Sequence, residues 1–166
     1  MIDRRQLIPL AFAALGVACL ARAARAQQGF ARFTGFLVDL PGWKGNKPDG
    51  MAMELAGSNM VTATRAYERG SAKVNASVLT GAPAQGALAA TNSGFKIETA
   101  DMHMTTSTVD GMQVTKTYTN SSKSGAILVA LGSNAVFTLT YTGIPEDEAM
   151  GLAQKFDWKG IQALVK

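Results

Sequence analysis

The stretch Ala126-Ile127-Leu128-Val129-Ala130-Leu131 decides the fold class of this chain. All of its residues are apolar and no polar residue alternates with them, a pattern typical of a β-strand that is buried on both faces. A sheet that contains such a strand needs a covering layer on each side. The stretch therefore predicts a central strand with a helix packed against each face of its sheet.

The segments around this strand have the period of two that half-buried strands show. In residues 72–78, apolar side chains alternate with Lys73, Asn75 and Ser77, which predicts one apolar and one polar face. Asp110-Gly111 predicts a hairpin turn, because a type I′ turn requires positive φ at both central positions. Further strands are predicted over residues 33–40, 51–55, 59–69, 95–100, 102–109, 112–119 and 137–141.

Two segments are predicted to cover the sheet as helices. Residues 145–156 begin with Pro145, which suits the first helical position, and continue with an acidic first turn that complements the helix dipole. Their apolar stripe consists of Ala149, Leu152, Ala153 and Phe156. The alanine-rich residues 82–92 favour a second helix, and residues 158–165 are apolar enough to dock as a short helix or a closing strand. The prediction is an α+β fold, a mostly antiparallel twisted sheet with helices on both faces.

Residues 1–26 have the three parts of an export signal. A charged start is followed by an apolar run over residues 7–20, which is shorter than the roughly 20 residues that span a membrane. Ala24-Arg25-Ala26 offers a cleavage site, and a cut after Ala23 is the alternative. We therefore expect a periplasmic protein, cleaved near Ala26, with a single globular α+β domain over residues 27–166.

The start of this signal, Asp3-Arg4-Arg5-Gln6-Leu7-Ile8, resembles the twin-arginine export pattern. That route carries folded proteins, often with a cofactor already inserted. An ordinary secretory signal in which the two arginines are coincidental is the alternative. A lipoprotein signal ending at Cys19 is disfavoured, because Gly16 stands where an aliphatic residue is expected.

Composition excludes several classes of function. Residues 1–26 hold four of the 16 basic residues and one of the 12 acidic ones, which leaves 12 basic against 11 acidic residues and a net charge of +1. Nucleic-acid binding needs clustered basic residues, so that class is disfavoured. From residue 27 onward there is no cysteine, one histidine and no apolar run long enough to cross a membrane. A zinc site of several His and Cys ligands is therefore excluded.

Met102, His103, Met104 and Met112 form the candidate metal site. Thioether and imidazole ligands suit copper(I). On a strand, however, Met102 and Met104 point to one side and His103 to the other. A copper site therefore requires Met112, across the predicted turn, to converge with Met102 and Met104 on an exposed face. Methionine also fills gaps in cores, so packing is the alternative role.

Two other groups of polar residues stand out in the sequence. Arg65, Tyr67 and Arg69 share one face of a predicted strand and could bind an anion or an acidic partner, although lone basic side chains on a solvated face are commoner. The acidic residues 146–148 do not face one another on a helix, because consecutive residues diverge by about 100°. Complementing the helix dipole is a sufficient role for them.

Phe36-Leu37-Val38-Asp39-Leu40-Pro41-Gly42-Trp43 resembles the opening of PsbP/Mog1-like domains, in which an apolar segment runs into Leu-Pro and a glycine-tryptophan turn. The predicted order of strands and helices is similar as well. The resemblance implies an α/β/α sandwich and a binding or assembly role. It implies no catalytic residues, because the family shares none.

These observations lead to one functional hypothesis and two alternatives. The first is a non-enzymatic, periplasmic binding or assembly-accessory module, without a cofactor, that contacts another periplasmic or membrane-complex protein. The first alternative is a periplasmic copper-binding protein that uses Met102, Met104, Met112 and His103. The second alternative is an enzyme whose site has no recognisable motif.

Overall fold

The computed structural model describes residues 29–55, 58–92 and 96–165, and the predicted export signal lies outside them. Residues 29–34 are helical and are called α1. The strands are β1 Lys44–Gly45, β2 Asp49–Leu55, β3 Ser58–Arg69, β4 Ala72–Thr80, β5 Ile97–Glu98, β6 Met102–Val109, β7 Met112–Thr119, β8 Ser124–Ala130 and β9 Ala135–Thr142. The remaining helices are α2 Ala82–Asn92, α3 Glu146–Ala153 and α4 Trp158–Val165.

The strands form one sheet in the order β1-β3-β4-β9-β8-β7-β6-β5, in which β2 also pairs with β3. Every pair of strands is antiparallel. Most neighbours in the sheet are also neighbours in the chain, joined by tight turns such as Asp110-Gly111, whose φ angles of 52° and 81° are both positive. The predicted hairpin and the α+β class with a mostly antiparallel sheet are confirmed.

The two faces of this sheet differ in burial. One face, called the core face, carries Ala76, Leu139 and Ile127, which lie side by side in the register and are fully buried. Helices α3 and α4 contact β9 there, and α1 adds Phe33 to the same hydrophobic cluster. The opposite face, called the outer face, carries residues such as Thr140, which is exposed.

Strand β8 has the central position that its sequence predicts. Ile127 and Val129 are buried in the core cluster, and α3 contacts this strand. On the outer face, Leu128 packs against a second cluster that contains Ala84 and Leu88 of α2. The strand therefore has helices against both of its faces, and the predicted range of α2 is confirmed.

The strand predicted over residues 33–40 is wrong. The chain is helical to residue 34 and then turns, with hydrogen bonds from Phe36 N to Phe33 O and from Leu37 N to Thr34 O. Phe33, Leu37 and Leu40 are all buried. Only Phe33 belongs to the helix, while Leu37 and Leu40 are buried from the turns and irregular chain that follow it. Tertiary burial in the core cluster, and not pairing with another strand, therefore explains the apolar residues of this segment.

Two other predicted elements are shorter than expected. Helix α3 ends at Ala153, and Phe156 is buried from the turn that follows it, where its N–H reaches Ala153 O. Leu152, predicted within the buried stripe, is only half-buried. Of the strand predicted over residues 95–100, only Ile97–Glu98 pairs with a neighbour, and residue 95 lies outside the described residues. None of the helices within the described ranges has the length and apolar character needed to cross a membrane.

Candidate functional site

One group of ionisable side chains in mutual contact is called the Glu146 cluster and consists of His103, Lys116, Tyr118, Tyr141 and Glu146. His103 and Tyr118 are register partners on β6 and β7, and Tyr141 lies on β9. All three side chains belong to the core face, as does Lys116, the register partner of Ile127. Glu146 is the first residue of α3, and this helix places its carboxylate above the strands.

Both carboxylate oxygens of Glu146 are hydrogen-bonded. Lys116 Nζ donates to Oε1 at 2.5 Å, and His103 Nε2 lies 2.6 Å from Oε2. The Glu146 side chain is 15% exposed, against 36% for His103 and 24% for Lys116. Charge-assisted hydrogen bonds of this kind are about twice as strong as neutral ones. The contacts therefore tie the start of α3 to the β6–β7 hairpin.

The ionised form of Glu146 is favoured in the fold. Burial by itself raises the pKa of this carboxyl group, but the hydrogen bonds from Lys116 and His103, with the attraction of their charges, outweigh burial. The net effect lowers the pKa of Glu146 below its ordinary value of 4.5. The carboxylate is thus charged at neutral pH and suited to orienting the His103 ring.

Tyr141 forms the floor of the cluster. Its ring stacks on Tyr118 with centroids 6.2 Å apart, and its hydroxyl is buried without a hydrogen-bond partner among the described residues. Burial, followed by the charge of Glu146, raises the pKa of Tyr141 well above its usual range. The hydroxyl lies over Gly125, where any side chain would collide with it.

A carboxylate paired with a histidine can serve as an acid–base dyad when a substrate reaches the free ring nitrogen. In this cluster, however, the carboxylate already binds a lysine as well as the histidine. Within the described ranges, no three His, Cys, Asp or Glu side chains come together as a metal site would need. The hydrogen bonds of Glu146 make the cluster a polar junction between α3 and the sheet.

Sequence reasoning did not predict this junction. Glu146 and His103 are 43 residues apart, and only the order of strands in the sheet brings β6 beneath the start of α3. Complementing the helix dipole is not the whole role of residues 146–148, because Glu146 binds His103 and Lys116 while Glu148 binds Arg69, at 2.5 Å.

The residues considered for anion binding contact other parts of the chain. Arg65 donates to Leu37 O at 2.7 Å and to Asn46 O at 2.8 Å, and it also binds the Asp39 carboxylate. The Tyr67 hydroxyl donates to Val38 O at 2.7 Å. These contacts hold residues 37–46 against β3.

Arg69 likewise has partners within the chain. Besides its ion pair with Glu148, its guanidinium lies 4.4 Å from the centre of the Trp43 ring. Together with Arg65 and Tyr67, it therefore fixes the segment between α1 and β2 against the core face of the sheet.

The four residues predicted to bind copper do not converge. Met102 and Met104 pair with Thr119 and Thr117 on the outer face, whereas His103 points to the core face and binds Glu146. Met112 is only 5% exposed and belongs to the core cluster. It lies five residues along β7 from the partner of Met104, which corresponds to about 17 Å.

A shallow depression called the outer groove lies on the outer face. In one row across the strands, Asn75, Thr140, Ala126 and Thr117 are register neighbours. The next row contains Glu68, Lys73, Thr142, Ser124 and Thr119. The groove has a volume of about 630 Å³ and is lined by hydroxyl groups and small side chains. Of the helices that the structure describes, α2 packs on this face, at the end away from the groove.

Comparison of the chain with protein-family models, with curated proteins and with solved structures found no match.

Proposed function

We propose that this chain is a non-enzymatic binding or assembly-accessory module of the bacterial periplasm and that it contacts another envelope protein through the outer groove. The observation that carries this proposal is the half-covered outer face. At one end of this face, Leu88 of helix α2 belongs to the cluster that packs against Leu128 of β8. In the groove, Asn75 and Thr140 are exposed.

The lining of the groove suits a protein surface. Ala126 and Ala66 are small, which allows close approach of a partner's backbone or helix. The hydroxyl groups of Thr117 and Thr140 can both donate and accept hydrogen bonds. Lys73 and Glu68, at one end, add charges of both signs that would fix the orientation of a partner.

Two features of the sequence agree with this proposal. The export signal predicted over residues 1–26 would deliver the chain to the periplasm. Residues 36–43 resemble the opening of PsbP/Mog1-like domains, which mostly act as binding or assembly modules. We interpret the helices on both faces of the sheet as the α/β/α sandwich of that family, and this interpretation rests on the resemblance.

Site-specific crosslinking in living cells tests the proposal. A photoreactive residue at Thr140, in the groove, should give one crosslinked product with an envelope protein, whereas the same residue at exposed Lys159 on α4 should not. Ala126→Trp should abolish the product by filling the groove, and Ala126→Ser should keep it as the matched control. Equal products from Thr140 and Lys159, or a Thr140 product that survives Ala126→Trp, would contradict the proposal.

A further inference from the structure

Three methionines lie together on the outer face, far from the set that the sequence suggested. Met51 and Met53 belong to β2 and Met60 belongs to β3. Met53 and Met60 are direct register partners, and Met51 is the next residue of β2 on the same face. We call these residues the methionine triad.

The geometry of the strands allows the three sulfur atoms to meet. Side chains directly opposite one another in an antiparallel pair have Cβ atoms about 5 Å apart. Residues two apart on one strand are separated by about 7 Å. A methionine side chain has three rotatable bonds, so the sulfur atoms of Met51 and Met60 can both turn toward that of Met53. None of the three side chains needs to cross the sheet.

Core packing does not account for the triad. Met51 is 53% exposed and Met53 is 46% exposed, while Met60 is half-buried. None of them belongs to either hydrophobic cluster, in contrast to Met112, which is 5% exposed. Large apolar side chains at neighbouring exposed positions suggest a role at the surface.

We propose that Met51, Met53 and Met60 form a binding site for one copper(I) ion. Thioether sulfur is a soft, neutral ligand, and it selects copper(I) over the hard cations that oxygen ligands prefer. Asp49 lies on the same face, next to Met51 along β2, and its carboxylate adds a favourable charge for a cation. The site is independent of the outer groove, so either proposal can fail without the other.

The lack of a titrating ligand gives the site a distinctive signature. Imidazole and thiolate ligands must lose a proton to bind a metal, so their affinity falls as the pH falls. A thioether has no proton to lose. Binding by the triad should therefore have the same affinity at about pH 7 and about pH 5, whereas a metal site with an imidazole ligand should weaken over this range.

The test is an anaerobic competition titration of the purified protein with copper(I) and a coloured copper(I) chelator. We expect one ion per chain, bound equally well at both pH values. The triple substitution Met51→Leu, Met53→Leu and Met60→Leu conserves volume and should weaken binding by at least about tenfold. The control, Met102→Leu with Met104→Leu, removes thioethers from the same face at the other edge and should leave the affinity unchanged.

Circular dichroism and the unfolding midpoint of each variant establish that the fold is retained, so that a loss of binding can be assigned to the sulfur atoms. Three outcomes would overturn the proposal. The first is copper(I) binding that weakens equally in the triple variant and in the control. The second is an affinity that decreases as the pH falls from about 7 to about 5. The third is binding no stronger than that of free methionine. A fourth outcome, a copper-independent dimer that dissociates in the triple variant, would also overturn the proposal, because it would make the methionines a self-association surface.

Discussion

The two faces of the sheet are built from the same strands, yet they treat their polar side chains in opposite ways. On the core face, the ionisable groups of Arg65 and Glu146 are bound by other parts of the chain. On the outer face, Thr140 and Asn75 remain exposed in the groove, although Asn75 accepts a hydrogen bond from Thr64 on the neighbouring strand. Buried polar groups must find partners, whereas exposed ones can use water. The polar groups of the core face therefore stabilise the fold, and those of the outer face are accessible to a binding partner.

Strand β9 gives the sharpest contrast between the faces, because its neighbouring residues alternate between them. Phe137 is fully buried, with its ring centre 5.0 Å from that of Phe156 and 6.3 Å from that of Trp158. Phe137→Ala should lower the free energy of unfolding by about 3–5 kcal/mol, since it removes a large side chain and leaves a cavity. Exposed Thr140 should tolerate Ala within about 0.5 kcal/mol. Urea denaturation measures both, and similar losses at the two positions would refute the division into faces.

Next in size is the junction between α3 and the β6–β7 hairpin. Glu146→Gln removes the charge that binds Lys116 and His103, and hydrogen bonds to charged groups contribute about 1.5–3 kcal/mol. We expect a loss of that order at neutral pH. The control is Glu98→Gln, which breaks an exposed ion pair with Lys96 and should cost under about 0.5 kcal/mol. A loss at Glu146 no larger than that at Glu98 would mean that the junction is only a surface contact.

The same junction should make stability depend on acid pH. The pKa of Glu146 lies below its ordinary value of 4.5 in the fold, so the folded state favours the ionised group. Its contribution is therefore present above about pH 4.5 and is lost as the pH falls through the lower folded value. The difference in unfolding free energy between the wild type and Glu146→Gln should shrink over that window. A difference that stays constant down to about pH 2 would contradict this assignment.

A smaller effect is expected at Tyr67, which is fully buried and holds residues 37–46 through Val38 O. Tyr67→Phe should cost about 1 kcal/mol, the contribution of one hydrogen bond. Burial raises the pKa of Tyr67 from 10.0 to about 12, although Arg65 acts in the opposite direction. The stabilisation from the neutral hydroxyl should thus be complete below pH 10 and lost as the pH rises to about 12. Alkaline unfolding that is identical in wild type and Tyr67→Phe would exclude this role.

The sequence was most informative where local pattern and burial agree. The apolar run at β8, the Asp110-Gly111 turn and the alanine-rich α2 each specify an element without reference to distant residues. The strand predicted over residues 33–40 is absent, because the short apolar run Phe36-Leu37-Val38 does not distinguish a strand from the turns after α1 that bury Leu37.

The candidate sites were less predictable, because they depend on which strands are neighbours. Alternation alone places Met51 and Met53 on one face of β2. Met60 joins them only through the register between β2 and β3. Similarly, the pairing of His103 with Glu146 requires the order of the four strands from β6 to β9 in the sheet, which neither residue's local sequence contains.

Gly125, over which the Tyr141 hydroxyl lies, has a consequence for how this chain can vary. A Cβ atom at this position would overlap both that hydroxyl and the carbonyl oxygen of Thr117. Replacing Tyr141 relieves only the first overlap, so no single compensating change makes room for a side chain. In a library that samples every amino acid along β8, position 125 should accept glycine alone, while its neighbour Ser124, on the outer face, accepts many residues. The tolerance of this strand to mutation should thus change abruptly from one residue to the next.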